Sequence, residues 1–395
     1  MTELTSRQRV AAARERLQPR TNAFIDGAFT EAGDGATFAC ESPVDGRLLG
    51  QVAACDAPDI DRAVAAARRA FDDGRWARLA PRERKRIMLA VADKLERHAD
   101  ELALLETLDA GKPIGDTTGV DIPNTVGCWR WYAEAADKIY DEVAPSAPDV
   151  VATITREPVG VVALVTPWNF PLMIASWKIA PALAVGNSVV LKPAEQAPLA
   201  CLRAAELAVE AGLPPGVLNV VPGYGETAGA ALGRHMDVDA LAFTGSAAIG
   251  KRFLAYAGES NMKPVSLECG GKTPQIVLAD ADDLDSIAQE AAWGIFFNQG
   301  AVCNAGSRLL VDARIQDALM DRILEVARGI TPGDPLDPAT RLGAVVDEVH
   351  MQRVLDYIRI GREEATLRCG GNAVDVNDRG LYIEPTIFTE VAPDA

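Results

Sequence analysis

The sequence predicts an α/β protein built on a doubly wound parallel sheet, and three observations lead there. From residue 160 to 269, short apolar runs alternate with helix-length runs: VVALVT, LMIASWKIAPALA, SVVLK, LACLRAAELAVEA, VLNVV, ETAGAALGRH, ALAFT, AIGKRFLAYA and PVSLE. Alternation of this kind means right-handed strand–helix–strand crossovers and parallel pairing. The strand runs are apolar at successive positions, as strands buried on both faces require. Each main strand run also ends in polar or glycine-rich residues, and the carboxyl ends of the strands are where an open parallel sheet holds ligands.

The elements follow in order. The amino-terminal MTELTSRQRVAAARERLQ reads as a polar helix; it has no apolar core followed by a cleavage site, so no secretory signal is expected. Short strands come next, punctuated by the turn pairs Asp26-Gly27, Asp34-Gly35 and Asp45-Gly46. Helical patterns run from Pro58 to Phe71 and from Pro81 to about Leu108, the second closing at Gly111 before Lys112-Pro113. VVATITREPVGVVALV, residues 150 to 165, reads as two strands broken at Glu157-Pro158, the first polar enough for an exposed ribbon. After the main series a second one begins near Pro274 with PQIVLAD, passes through a helix before Cys303 and continues with SRLLV. Helices near 314 to 328 and 346 to 361 complete it.

A chain of 395 residues exceeds one typical domain, so more than one core is expected. With 48% hydrophobic and 24% charged residues and no apolar run of membrane-spanning length, it reads as a soluble globular protein. A formal net charge of −17 repels phosphate backbones and argues against nucleic acid as a partner. The seven cysteines form an odd count with no CxxC pair, which suits a reducing cytoplasm. No HExxH and no Cys/His cluster supports a metal site.

The residues after the strands are TPWNFP from Thr166 to Pro171, KPAE from Lys192 to Glu195, TGSAAIG from Thr244 to Gly250, and ECGGK from Glu268 to Lys272. The dinucleotide fingerprint G-x-G-x-x-G is absent, since Gly223-x-Gly225 reaches Gly229 with one residue too many. Gly245-Ser246 opens a helix directly after a strand; it either aims N–H groups at a bound phosphate or is capped by Ser246. Lys192 and Glu195 suit ribose hydroxyls, one as donor and one as acceptor, although each alone also fits a solvated loop. Cys303 stands alone among small residues in FFNQGAVCNAGSR. Nucleophilic cysteines usually work beside a histidine, and His98, His235 and His350 are distant in sequence, so Cys303 is either packing or a nucleophile with another base.

Taken together, TPWNFP, LKPAE, FTGS, LECGGK, FFNQGAVCNAGSR and LYIEPTIF resemble the NAD(P)-dependent aldehyde dehydrogenase superfamily over nearly the whole chain. ETLDAGKPI, DIPN, RWYAEAADKIYDEVAP and GESNMK are similar to the bacterial dehydrogenases of polyamine breakdown that act on γ-glutamyl-γ-aminobutyraldehyde or 4-guanidinobutyraldehyde. The resemblance implies an aldehyde dehydrogenase-like fold. Residues 1–139 and 159–270 would form a Rossmann-type NAD-binding domain, 140–158 a β-ribbon for assembly into a homodimer or homotetramer, and 271–395 an incomplete α/β catalytic domain.

It also implies NAD-dependent oxidation of a small-molecule aldehyde, an amino- or guanidino-aldehyde, to the acid. Cys303 would be the nucleophile, Glu268 the general base and Asn169 the oxyanion donor, together with the Cys303 backbone N–H. NAD would contact Thr166, Pro167, Trp168, Lys192, Glu195, Gly225, Phe243, Gly245, Ser246 and Gly270. Phe170 and Trp177 would line a substrate tunnel or belong to the core, and Asp121 would meet a cationic substrate tail.

The chemistry explains why no histidine is needed. A free thiol of pKa ~8.5 is only a few per cent thiolate at neutral pH and needs a proton acceptor or an electropositive setting. A carboxylate in an apolar tunnel has its pKa raised toward neutrality and can then take protons at pH 7. Two departures from the pattern stand out. Cys269 sits beside the base, either as a small buried hydrophobe or as a partner for a regulatory bridge to Cys303. The family's E-x-F-G-P segment does not follow LYIEPTIF, so a truncated chain or fragment is expected, and a catalytically inactive NAD-binding scaffold is the alternative. A cysteine hydrolase is a further rival, without a nearby histidine motif to support it.

Overall fold

The computed structural model describes residues 6–376 and 378–393. Its centre is a seven-stranded sheet. The strands are β1 Ala23–Ile25, β2 Ala28–Thr30, β3 Val161–Val165, β4 Ser188–Lys192, β5 Leu218–Val220, β6 Ala240–Gly245 and β7 Val265–Cys269. Their order across the sheet is β7-β6-β3-β4-β5-β1-β2. β3 pairs in parallel with both β4 and β6. The chain therefore builds outward from β3 through β4 to β5, then returns to lay β6 and β7 on the other side. The order reverses between β3 and β6, and the crevice beyond their carboxyl ends is the topological switch point of the sheet.

Every residue of β3 and β4 is buried, which accounts for their unbroken apolar runs. Val161, Ala163 and Val165 join one core cluster with Ile60, Val64 and Phe253, whereas Val162 and Leu164 face the other with Leu105, Leu183 and Leu202. Strand side chains alternate between faces, so one short run serves both helix layers. At the sheet edge β1 and β2 form an antiparallel hairpin, with Asp26 (φ 53°) and Gly27 (φ 82°) supplying the left-handed pair that a two-residue turn needs.

The helical pattern from Pro81 to Leu108 is two helices, Pro81–Arg97 and Ala99–Ala110, meeting at His98, where ψ is 18°. A straight helix over that stretch would run on the order of 40 Å, too far for one domain face. The bend instead lays Ala99–Ala110 inside, with Leu102 to Ala110 all buried. It ends at Gly111, left-handed at φ 76°, where a Cβ would lie 2.8 Å from the Ala344 carbonyl.

Outside the main sheet, Glu142–Ala144 pairs antiparallel with Ala152–Ile154 as a ribbon that exposes Val143 and Ile154. Pro274–Val277 and Arg308–Val311 form a separate parallel pair, packed by the helices Leu284–Phe296 and Gln316–Gly329. The helix Glu348–Glu364 and two small antiparallel pairs follow. Among the described residues no helix is long and apolar enough to cross a membrane.

Candidate active site

Two loops meet beyond β3. The first, Thr166 to Phe170, leaves β3 at the switch point and opens the helix Pro171–Ala184. The second follows the helix Leu284–Phe296 and carries Cys303. Asn169 joins them by donating from Nδ2 to the Ala301 carbonyl at 2.8 Å. An amide nitrogen carries two hydrogens, so one N–H remains for another acceptor.

Asn298 reinforces the junction, its Nδ2 donating to the Asn169 carbonyl at 2.9 Å and to the Ala301 carbonyl at 3.2 Å. Its backbone is left-handed (φ 50°), as are those of Gln299 (φ 56°) and Gly300 (φ 74°). Successive left-handed residues are strained, and they persist where the surroundings hold them. Here the buried Asn298 amide does the holding. The only trace of this in the sequence is Asn-x-Gly, two residue types that tolerate such backbone, just before the cysteine.

Cys303 is exposed. Its carbonyl accepts the Gly271 N–H at 3.0 Å, which ties its loop to the end of β7. Glu268 and Cys269 alternate on β7 and so point to opposite faces. Cys269 turns to the helix Ala247–Gly258, where a Cβ on Gly250 would lie 3.3 Å from its Sγ, so it packs as a small apolar side chain. Glu268 is exposed on β7, the edge strand, so the described residues build no apolar tunnel around it. Burial lowers the Lys178 pKa, and the charge of Glu268 opposes that shift. No motif marked Lys178.

The expected substrate residues separate. Phe170 is buried, its ring centroid 6.1 Å from that of Phe297, which in turn lies 4.7 Å from Trp293. Phe170, Met173, Ile174, Phe297 and Val302 form one apolar cluster next to the cysteine in the chain. Trp177 is half-exposed on the following helix. Asp121 is fully buried and ion-paired with Lys112, which corrects its assignment to a substrate tail. A carboxylate enclosed with its own ammonium has no face to offer.

The carboxyl ends of β3, β4 and β6 carry the groups a dinucleotide needs. Thr166 is buried and its Oγ1 has no hydrogen-bond partner among the described residues. Lys192 donates from Nζ to the Pro193 carbonyl at 2.8 Å and to Glu195 Oε2 at 3.1 Å. Burial lowers the Lys192 pKa, and the charges of Glu195 and Glu226 oppose that. Its stem lies against Gly229, where a Cβ would approach Cδ to 3.6 Å. Ser246 caps the helix Ala247–Gly258, Oγ accepting the Ile249 N–H at 3.3 Å. Gly245 carries no Cβ, which would lie 2.5 Å from the Phe243 ring, while Gly225 and Gly270 face open space. An orphaned hydroxyl, a ribose-type acceptor and a helix amino terminus at one crevice fit a dinucleotide.

Trp168, in the same loop, packs against His350 with ring centroids 4.9 Å apart, and burial lowers the His350 pKa. Separation in sequence hid this contact: the helix Glu348–Glu364 returns to the crevice.

Residues 29–395 match the aldehyde dehydrogenase family. An aminoacetaldehyde dehydrogenase of Pseudomonas aeruginosa is 51% identical over 394 residues, covering 100% of this chain and 79% of that protein. The NADP/NAD-dependent aldehyde dehydrogenase PuuC of Escherichia coli is 50% identical over 372 residues, covering 94% and 74%. Among solved structures, a variant of the P. syringae indole-3-acetaldehyde dehydrogenase in complex with NAD+ and IAA superposes with a TM-score of 0.97 at 55% identity, covering 99% of this chain and 79% of that one. The γ-glutamyl-γ-aminobutyraldehyde dehydrogenase of Burkholderia cenocepacia gives 0.96 at 54%, covering 98% and 78%.

Proposed function

The chain belongs to the aldehyde dehydrogenase family, and from that premise we propose that it oxidises an amino- or guanidino-aldehyde of polyamine breakdown to the acid with NAD, through a covalent intermediate on Cys303. The main support is the junction in which Asn169 and Gly271 are each hydrogen-bonded to the loop that carries the exposed thiol.

The Cys303 thiolate attacks the aldehyde carbon, and the carbonyl oxygen becomes an alkoxide. The free N–H of the Asn169 amide and the Cys303 backbone N–H donate to it; one such donor contributes about 3 to 4 kcal/mol. NAD, when bound, supplies the hydride acceptor, with Thr166, Lys192, Glu195 and Ser246 as its binding groups. Collapse leaves a thioester on Cys303. Glu268, exposed to solvent, takes a proton from the water that attacks this thioester, and the acid departs with the thiolate restored.

The names of two similar proteins, aminoacetaldehyde dehydrogenase and γ-glutamyl-γ-aminobutyraldehyde dehydrogenase, favour an amino-aldehyde. A second reading, an aromatic aldehyde, is favoured by the ring series Phe170, Phe297 and Trp293 and by the enclosure of Asp121. Steady-state NADH formation at 340 nm decides between them. At least tenfold higher kcat/KM for 4-guanidinobutyraldehyde than for indole-3-acetaldehyde is expected, and the reverse order would give the second reading. Self-association as a homodimer or homotetramer is supported by the exposed apolar side chains of the ribbon, and a cytoplasmic setting by seven unpaired cysteines.

A further inference from the structure

We propose that Lys112 and Glu106 are positioning residues for this reaction, clamping Asn169 to Leu172 from both ends so that the Asn169 amide stays in register with Cys303. The inference rests on the assignment of Asn169 as oxyanion donor. Lys112 is 1% exposed, and a buried ammonium must satisfy its hydrogens. Its partners are Asp121, the Asn169 carbonyl at 3.0 Å and the Phe170 ring, whose centroid is 3.7 Å from Nζ.

The other end of the segment is held by Glu106, whose Oε1 accepts the Leu172 N–H at 2.7 Å. Leu172 lies in the first turn of the helix Pro171–Ala184, where N–H groups have no partner within the helix, and the N-cap residue Phe170 supplies none from its side chain. Glu106 thus caps that helix from another element. Asp121 Oδ2 meets Lys112, whereas Glu106 Oε2 and Asp121 Oδ1 are buried without a hydrogen-bond partner among the described residues. A proton on Glu106 Oε2 removes the conflict, leaving Lys112, Asp121 and Glu106 with no net charge. Burial together with the Asp121 charge pushes the Glu106 pKa up to about 8, against the pull of Lys112.

The clamp reaches the chemistry because the Asn169 carbonyl held by Lys112 also accepts from Asn298, and Asn298 holds Ala301, two residues before the thiol. A misplacement of about 1 Å in a reacting constellation costs on the order of 100-fold in rate. Lys112→Met alone would strand Asp121 in the interior, so the neutral pair Lys112→Met with Asp121→Asn is the variant to measure. It should lower kcat by about 10- to 100-fold and leave the KM for NAD within about threefold. In an Asn169→Ala background the same pair should cost less than about threefold, because the group it positions is gone.

Glu106→Leu should lower kcat likewise, and Glu106→Gln, which keeps an acceptor for the Leu172 N–H, should recover most of the loss. Amide hydrogen exchange over residues 166–173 gives a readout that needs no turnover. It should accelerate at least tenfold in Glu106→Leu and in the neutral pair while residues 188–192 stay protected. Unchanged exchange there, or a full additive loss of kcat on Asn169→Ala, overturns the clamp. Absence of NADH formation by the unmodified chain would instead overturn the functional assignment, and exchange would still decide the clamp.

Discussion

The backbone N–H of Gly271 donates to the carbonyl oxygen of Cys303 at 3.0 Å, so the strand end bearing Glu268 and the loop bearing the thiol are one hydrogen-bonded unit. The two proposed roles, base and nucleophile, sit on opposite sides of that bond. They can be removed one at a time.

Cys303→Ala should abolish NADH formation from any aldehyde and leave NAD binding within a few fold of the unmodified protein. In the proposed mechanism the thiol forms the covalent bond to substrate, whereas the groups that suit the adenosine end, Lys192, Glu195 and Ser246, lie at or just beyond the ends of β4 and β6. Stopped-flow absorbance and NAD titration measure the two effects. Persistent aldehyde oxidation would remove Cys303 from the mechanism.

Glu268→Gln should separate acylation from deacylation. A burst of NADH near one equivalent per site should remain, while steady turnover falls by at least about 100-fold, the lower end of what a positioned general base contributes. Rapid mixing with limiting enzyme reads both phases. Unchanged steady turnover would show that another group activates the water.

Cofactor choice should follow Glu195. Its carboxylate, held by Lys192 at 3.1 Å, can accept from ribose hydroxyls but repels a 2′-phosphate. Losing a charged hydrogen bond costs about 1.5 to 3 kcal/mol, so NAD should bind at least about tenfold more tightly than NADP. Glu195→Gln should narrow that gap, chiefly by improving NADP binding. Equal affinities in the unmodified protein, measured by fluorescence titration, would refute the role.

Stability should fall as pH rises from about 5 to 8. Burial raises Glu106 from 4.5 to about 8 and Asp109 from 3.8 to about 7, so the folded chain keeps protons that the unfolded chain has released. More protons bound in the folded state means that unfolding free energy declines with pH through this window. Each such group contributes up to about 1.4 kcal/mol per pH unit. Glu106→Gln should remove one share of that slope in urea denaturation at pH 5, 6, 7 and 8. An identical slope in the variant would rule out a retained proton on Glu106.

The parallel sheet was legible because its signal is local. Successive apolar residues in VVALV and SVVLK require burial on both faces, and the structure buries every residue of both strands. Asp26-Gly27 marked its hairpin for the same reason, since a two-residue turn needs left-handed backbone at those two positions. The helix from Pro81 was less legible: a helical period continues through His98, and the bend there follows from packing on other helices, Pro81–Arg97 against Ile122–Ala135 and Ala99–Ala110 against Leu199–Glu210.

The site divides along the same line. Residue types and motif order, by resemblance, identified Cys303, Glu268 and Asn169 as candidates, because chemistry constrains which side chains can serve. Which carboxylates are free and which are enclosed is a matter of long-range packing. Asp121 read as an open charge until Lys112 closed over it, His350 reached Trp168 from nearly half the chain away, and Glu106 became the cap of a helix it does not belong to. By itself the sequence determined the strand–helix alternation and the chemical types at the strand ends, since both follow from local period and composition. Only the tertiary structure decided burial and pairing, because those depend on which distant residues exclude water from a given group.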